Sequence, residues 1–235
     1  MANSWFQFKQ FTIKQDRSGF KVGTDGVLLG AWADISGSET ALDIGTGTGL
    51  LALMLAQRSD AKITAIEIDR ASFEQAGENI MDSPWSKRIT LIHSPLQKFS
   101  TKDKFDIIVS NPPFFQDSLR PASGSLGISK HDILLSLDEL AVIVPRLMHE
   151  NSRFCLVLPT RESREFENLA TDKGLFLQRI MKVKPNPDLP VKRHLLEYRL
   201  FRTDRVSSDE LIIERQRHDY TEKYRELTDE FYLAF

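Results

Sequence analysis

The sequence predicts a doubly wound α/β domain built around a mostly parallel sheet. Between residues 41 and 159 it alternates five short apolar runs with longer segments of helical pattern. The runs are apolar almost throughout, which is typical of strands covered by helices on both faces. A glycine-rich loop follows the first run directly, at the position where folds of this kind bind nucleotides. Together these observations indicate the doubly wound α/β class.

The core is expected to contain five strands and three intervening helices. Asp69 is the expected N-cap of the second helix, because its short carboxylate can accept a backbone N–H from the first turn. The expected strands are 41–44, 63–67, 89–92, 105–110 and 154–158, and the expected helices are 50–57, 70–80 and 134–149.

Additional elements precede and follow this core. Residues 5–24 alternate aromatic side chains with basic or polar ones and predict a short N-terminal hairpin. A helix over 25–33 follows, for which Thr24 or Asp25 is the expected N-cap. After the core we expect a helix over about 161–173 and strands over 175–183 and 194–201.

Composition excludes several classes of protein. Of the 235 residues, 41% are hydrophobic and 27% are charged, which is ordinary for a globular domain. No basic and apolar leader and no run of about 20 apolar residues is present, so we expect a cytoplasmic protein without a membrane segment. The single cysteine, Cys155, cannot form an intrachain disulfide. With a net charge of −2, binding to nucleic acid would require a local basic surface.

The loop from Asp43 to Leu50 is predicted to bind a nucleoside cofactor. Gly45, Gly47 and Gly49 allow a sharp turn and let a ligand approach the backbone around Thr46. The amides at the start of the next helix can bind a carboxylate or a phosphate. The third glycine comes one residue earlier than in the dinucleotide fingerprint, which disfavours a nicotinamide cofactor.

Two acidic residues refine this prediction. A carboxylate at Asp43 would repel a pyrophosphate but attract the ammonium and sulfonium groups of S-adenosylmethionine. Glu67 lies 22 positions after Gly45, at the end of the second strand, where it can accept both ribose hydroxyls. The expected cofactor is therefore S-adenosylmethionine.

The tetrapeptide Asn111-Pro112-Pro113-Phe114 follows the fourth strand and predicts the reaction. The lone pair of an exocyclic amino nitrogen is delocalised, so the nitrogen needs two acceptors that hold its hydrogens. The Asn111 side-chain oxygen and the Pro112 carbonyl can supply them, and the prolines limit the freedom of the loop. Phe114 offers a face on which a flat base or amide can stack. A sulfonium is already activated, so no metal is expected.

These motifs resemble the class I, Rossmann-like methyltransferases, and the tetrapeptide resembles their amino-methyltransferase branch. In that family an acidic residue after the third strand often contacts the cofactor adenine. The segment from His93 to Gln97 has no acid. We therefore expect the adenine to pack near Ile68 and Leu96, or to contact Gln97.

The flanking segments resemble one bacterial family in that branch, the tRNA1(Val) adenine-37 N6-methyltransferases. The resemblance covers essentially the full chain and includes residues 8–32, 182–185 and 220–233. It implies methyl transfer to N6 of a tRNA adenine beside the anticodon. In related enzymes the segment before the core closes over the methionine end of the cofactor, which implies Lys21, Thr24 and Asp25 as further contacts.

Two basic segments are candidate RNA contacts. From Arg179 to Arg205 there are 8 basic residues against 3 acidic ones, and residues 1–24 have 4 against 1. An anticodon loop suits such an enzyme because its bases leave their stack at low cost. The expected substrate contacts are Lys14, Arg17, Lys182, Lys184, Lys192 and Arg193 at phosphates, with Pro113 and Phe115 beside the base.

The ends of the chain differ in pattern from the core, and this difference predicts how the chain is organised. We expect an N-terminal extension packed on the core (1–35), a methyltransferase catalytic domain (36–205) and a packed C-terminal tail (206–235), acting as a monomer or weak dimer. An rRNA guanine-N2 or protein-glutamine methyltransferase remains an alternative. A nucleic-acid-binding module on this scaffold is disfavoured because Asp43, Glu67 and Asn111 are all present.

Overall fold

The computed structural model describes residues 3–19, 21–113 and 135–234. Their helices are α1 (Thr24–Trp32), α2 (Leu50–Arg58), α3 (Arg70–Met81), α4 (Leu137–Leu147), α5 (Thr160–Asp172) and α6 (Glu222–Thr228). Their strands are β1 (Trp5–Gln7), β2 (Thr12–Lys14), β3 (Thr40–Ile44), β4 (Lys62–Glu67), β5 (Ile89–His93), β6 (Phe105–Ser110), β7 (Met148–Pro159), β8 (Phe176–Lys184), β9 (Arg193–Arg199), β10 (Ser207–Ile212), β11 (Glu214–Gln216) and β12 (Asp219–Tyr220). Short 3-10 turns cover Ser86–Arg88 and Leu96–Lys98.

Eight strands form one sheet in the order β10-β8-β9-β7-β6-β3-β4-β5. Strand β9 is antiparallel to both of its neighbours, β7 and β8, and the remaining pairings in this sheet are parallel. A separate antiparallel pair, β1 and β2, forms the predicted N-terminal hairpin. The predicted fold class is therefore confirmed.

Helices cover both faces of the sheet. Alternate residues of β3 join different cores: Ala41 packs with α1, α2 and α3, whereas Leu42 packs with α4 and α5. This alternation follows from the two-residue period of a strand. It explains why the core strands are apolar almost throughout.

The segment after the hairpin runs along α3. The Lys14 amide donates to the Asn79 side chain (2.8 Å), and the Arg17 amide donates to Gln75, one helical turn nearer the start of α3 (3.0 Å). The chain therefore passes from the C-terminal end of α3 towards its N-terminal end before it enters α1. This path brings the start of α1 to the carboxyl edge of the parallel strands.

One predicted helix cap is confirmed and the other is wrong. The Asp69 carboxylate accepts a hydrogen bond from the Ser72 amide at the start of α3 (2.8 Å). Helix α1 begins at Thr24, one residue earlier than predicted, with extended Gly23 as its N-cap and no side-chain cap bond. The Asp25 carboxylate is instead held by Arg193 from β9.

The last thirty residues take part in the main sheet. Strand β10 pairs in parallel with β8, and the Lys9 amide donates to the Phe231 carbonyl (2.8 Å). The segment predicted as a packed tail thus also supplies an edge strand. Within the described part of the chain, every helix is too short or too polar to cross a membrane.

Candidate active site

The glycine loop and Asn111 follow neighbouring positions of the sheet. Ile44 at the end of β3 is paired with Ser110 at the end of β6, and the Ser110 hydroxyl donates to the Ile44 carbonyl (3.0 Å). Gly45 and Asn111 come directly after these partners, where adjacent backbones are about 4.8 Å apart. Two motifs separated by 66 residues therefore meet at the carboxyl edge of the sheet.

The glycines of the loop have the backbone conformation that the motif predicts. The φ angles of Gly45, Gly47 and Gly49 are +72°, +58° and +85°, a region that favours glycine. A Cβ added at Gly45 or Gly47 would meet no described atom within 4 Å. These two residues therefore face open space, into which a ligand can approach the backbone.

Asp43 is fully buried beneath this loop. Its Oδ2 accepts hydrogen bonds from the Thr46 hydroxyl (2.5 Å) and the Ala52 amide (3.1 Å). Its Oδ1 has no partner among the described residues. Burial raises the pKa of this carboxyl to about 7, and the nearby Glu67 charge acts in the same direction. A buried acceptor without a partner fits a site for a positively charged ligand.

Glu67 joins the end of β4 to the same loop. Its Oε2 accepts from the Gly47 amide (2.8 Å), and its Oε1 accepts from the Ile68 and Asp69 amides (2.8 Å each). A carboxylate oxygen can accept more than one hydrogen bond, so these contacts leave capacity for ligand hydroxyls. Binding of ribose at Glu67 stays a prediction.

A pocket beside the loop brings together the residues expected around the cofactor adenine. Ile68, after β4, and Leu96 and Gln97, in the 3-10 turn after β5, all line it, and their contact with adenine stays a prediction. The Gln97 side chain donates to Glu139 of α4 (2.8 Å), which fixes its orientation. Sequence reasoning missed the other lining residues, Ile44, Ile66, Ser94, Pro95 and Leu135.

Helix α1 passes close to Asn111. Asn111 is half-buried, and a Cβ added at Gly26 would lie 3.6 Å from its Nδ2 and 3.0 Å from Leu50. One turn further, a Cβ at Gly30 would lie 2.6 Å from the sulfur of Met54. Sequence reasoning missed both glycines, although their four-residue spacing on a helix is typical of close packing.

The remaining residues of the tetrapeptide are only partly described. Pro112 is buried and Pro113 is half-buried at the end of β6. Phe114, which was expected to stack on the base, and Phe115, which was expected beside it, lie outside the described residues. Their predicted roles stay predictions.

Of the three expected contacts before the core, only Asp25 is bonded to another predicted site residue. Lys21 is exposed, and its Nζ donates to the Asn3 carbonyl (3.4 Å). Thr24 is exposed at the first position of α1. The Asp25 carboxylate accepts from Arg193 (2.7 Å), so a predicted cofactor residue and a predicted RNA residue are partners.

Most of the predicted phosphate contacts form ion pairs within the chain. Arg17 binds Glu78 of α3 and Lys14 binds Asp82, the C-cap of that helix, away from Asn111. The bond with Asp82 raises the pKa of Lys14. Lys182 and Lys192 are exposed and have no acidic partner in the described ranges. The ion pairs are Lys14–Asp82 (2.8 Å), Arg17–Glu78, Lys184–Glu210 (3.2 Å) and Arg193–Asp25 (2.7 Å).

Two other chemistries receive no support from the described residues. Burial raises the pKa of the Cys155 thiol, which disfavours the reactive thiolate. No group of three or more His, Cys, Asp or Glu side chains in the described ranges is arranged to hold a metal ion.

The fold and this site define a class I methyltransferase. Residues 18–123 match the Methyltransferase small domain family. A predicted O-methyltransferase from Agrobacterium tumefaciens aligns with a TM-score of 0.64 and 19% identity over 88% of this chain and 96% of that chain. A ribosomal protein L11 methylase from Lactobacillus delbrueckii subsp. bulgaricus aligns with a TM-score of 0.58 and 18% identity over 79% and 82%. At such identities the likeness shows the fold alone.

Full-length relatives identify the family more narrowly. The chain is 45% identical to a tRNA1(Val) (adenine(37)-N6)-methyltransferase of Bacteroides thetaiotaomicron over 99% of both chains. It is 42% identical to the enzyme of the same name from Trichodesmium erythraeum over 100% of both chains. The chain belongs to the tRNA1(Val) (adenine(37)-N6)-methyltransferase family.

Proposed function

We propose that this protein transfers a methyl group from S-adenosylmethionine to N6 of adenine 37 in tRNA1(Val). The observation that carries the proposal is the position of Asn111 directly beside the glycine loop, set by the pairing of Ser110 with Ile44. Family membership supports the substrate, since relatives that match along the whole chain bear this name.

The residues of the loop side suit the cofactor. Asp43 offers a buried carboxylate oxygen without a described partner, and Gly45 and Gly47 leave space at the backbone. Glu67 would accept the ribose hydroxyls, and the pocket at Ile68 would hold the adenine. When bound there, S-adenosylmethionine supplies a methyl group on a positively charged sulfur.

The residues after β6 suit an amino nitrogen. The Asn111 side-chain oxygen and the Pro112 carbonyl would accept the two hydrogens of N6, which directs the nitrogen lone pair away from the ring. The ring nitrogen of Pro112 fixes φ, so this acceptor is already in place before the substrate binds. The attacking nitrogen loses one proton to water after the transfer, so a strong base is not required.

A tRNA loop is the substrate that this arrangement can reach. A base inside a duplex would have to leave its stack, whereas a loop base does so at lower cost. A tRNA substrate would place the enzyme in the cytoplasm.

Methylation of tRNA from a strain that lacks the gene tests the proposal. The protein should transfer label from S-adenosylmethionine to this tRNA, and nucleoside analysis should find N6-methyladenosine at position 37 of tRNA1(Val). Asn111→Ala should label the same tRNA about 10²–10³-fold more slowly than the wild type. Failure of the wild-type protein to label it, or N2-methylguanosine as the product, would reject the proposal.

A further inference from the structure

Three exposed basic side chains surround His194 at the carboxyl edge of the sheet. His194 lies on β9 with its ring bonded to Ser163 of α5 (2.6 Å), and Arg164 is the next residue of that helix. Lys182 of β8 is the register partner of His194, and Lys192 precedes it by two residues. Arg164, Lys182 and Lys192 are called the His194 cluster below.

The protein holds the backbone of this cluster in place. The Thr160 hydroxyl at the start of α5 donates to the Val191 carbonyl (2.9 Å), and the Lys192 amide donates to the Val183 carbonyl (2.9 Å). The cluster therefore comprises one residue of β8, one of α5 and the residue directly before β9, on segments that are bonded to each other. These hydrogen bonds hold the backbone on which its cations are presented, including that of Lys192 in the β8–β9 connection.

The cluster differs from the other basic residues expected to bind RNA. The other four predicted phosphate contacts all have acidic partners; they are Lys14, Arg17, Lys184 and Arg193. In contrast, none of the three cluster cations forms an ion pair within residues 3–19, 21–113 and 135–234. Burial lowers the pKa of His194, and the charges of Lys182 and Arg164 lower it further, so both cations lie close to the ring. Glu167 lies almost one turn further along α5, and burial together with the charge of Glu167 raises the pKa of Tyr198.

The cluster is on the same edge of the sheet as Asn111. Strand β8 is three strands away from β6 in the sheet order, which corresponds to about 14 Å. A stacked nucleic-acid strand covers this distance in roughly four nucleotides. The separation suits phosphates that flank a base held at Asn111.

We propose that Arg164, Lys182 and Lys192 bind the tRNA phosphate backbone beside the target nucleotide, and that Lys14 and Arg17 do not. The inference rests on the proposed function and specifies its RNA-binding surface. Arg164 lies outside both basic segments that were identified from the sequence, residues 1–24 and 179–205. Lys14 and Arg17 instead attach the N-terminal segment to α3.

Salt dependence of the tRNA KM tests the assignment. In Arg164→Ala/Lys182→Ala/Lys192→Ala, loss of three single-strand phosphate contacts should lower the slope of log KM against log salt by about two. Between 50 and 200 mM KCl, the rise of KM should then be roughly 20-fold smaller than in the wild type. The affinity for S-adenosylmethionine should be unchanged, because the cluster lies away from the glycine loop.

A matched control removes the same charge from the opposite edge of the sheet. Lys62, Lys87 and Lys102 are exposed residues near the starts of β4, β5 and β6. Their triple alanine variant should keep the wild-type slope, and the charge-preserving variant Arg164→Lys/Lys182→Arg/Lys192→Arg should keep it too. Equal slopes for the cluster and control variants would overturn the assignment. Absence of any tRNA methylation by the wild type would instead reject the proposed function.

Discussion

The two halves of the sheet on either side of Asn111 present opposite charges at their carboxyl edge. On one side, β3 contains the buried carboxylate of Asp43 and β4 ends in that of Glu67. On the other side, Lys182 of β8 and Lys192, directly before β9, are exposed and have no acidic partner in the described residues. Asn111 lies between the two halves and is itself uncharged.

This difference matches the charges of the two proposed substrates. S-adenosylmethionine carries a positive sulfur, which carboxylates attract, whereas an RNA backbone is negative and is attracted by lysine and arginine. A phosphate close to Asp43 and Glu67 would be repelled, as would a sulfonium close to the His194 cluster. The two ligands are thus directed to separate sides and meet at Asn111.

Asn111→Ala should have the largest effect, because it removes the acceptor between the halves and leaves both halves intact. We expect kcat to fall about 10²–10³-fold, as for the loss of one preorganised hydrogen-bonding group in other enzymes. Single-turnover methylation measures this fall, and titrations should give unchanged affinities for S-adenosylmethionine and tRNA. Exposed Asn151→Ala is the control. A variant that methylates at the wild-type rate would contradict the assigned role.

Asp43→Asn tests whether the buried negative charge of Asp43 lowers the stability of the folded protein. The folded pKa, about 7, lies above the ordinary value of 3.8, so the folded state binds the proton more tightly than the unfolded state. The free energy of unfolding is therefore highest, with respect to this group, when Asp43 is protonated. This contribution is complete below about pH 4 and is lost as pH rises through 7, a difference of a few kcal/mol.

Chemical denaturation between pH 4 and 8 provides the measurement. The free energy of unfolding of the wild type, minus that of Asp43→Asn, should decrease with pH and level off above about pH 7. Exposed Asp60→Asn should show no such trend. A pH-independent difference between wild type and Asp43→Asn would show that Asp43 titrates normally.

Asp25→Ala tests whether the ion pair between Asp25 of α1 and Arg193 of β9 contributes to binding of tRNA or of the cofactor. It breaks the ion pair with Arg193, so Arg193 should lose its fixed position at the edge beside α1. We expect a severalfold change in the tRNA KM, consistent with the modest contribution of a partly exposed ion pair. The affinity for S-adenosylmethionine should stay the same when measured by calorimetry. A large loss of that affinity would instead make Asp25 a cofactor residue, as the family resemblance implies.

Lys14→Ala/Arg17→Ala should have the smallest effect on RNA binding. Both side chains are paired with acids of α3, so the expected results are an unchanged tRNA KM, an unchanged salt slope and slightly lower thermal stability. Steady-state kinetics at two KCl concentrations and a melting curve measure these quantities. A weaker salt slope would show that cations on the cofactor side also contact the RNA.

The amino-acid sequence by itself determined the fold class and the motifs at the end of each central strand. Strand patterns are local, because the two-residue alternation and the apolar content are properties of five or six neighbouring residues. The cap at Asp69 is local for the same reason, since donor and acceptor lie three residues apart. The tetrapeptide after β6 predicted the reaction, and family resemblance added the substrate.

Only the tertiary structure decided which basic side chains are available to bind RNA and which are paired with acids of the same chain. Asp25 and Arg193 are 168 residues apart in the chain, and no spacing rule connects them. The pairing of Lys184 with Glu210 likewise depends on β10 joining the sheet beside β8. Arg164 lies in a helix that no basic segment marks, and reaches the edge only because α5 packs against His194. Ion pairs and exposed clusters depend on long-range packing. A count of basic residues in the sequence therefore could not separate the cations that form internal ion pairs from those that form none in the described residues.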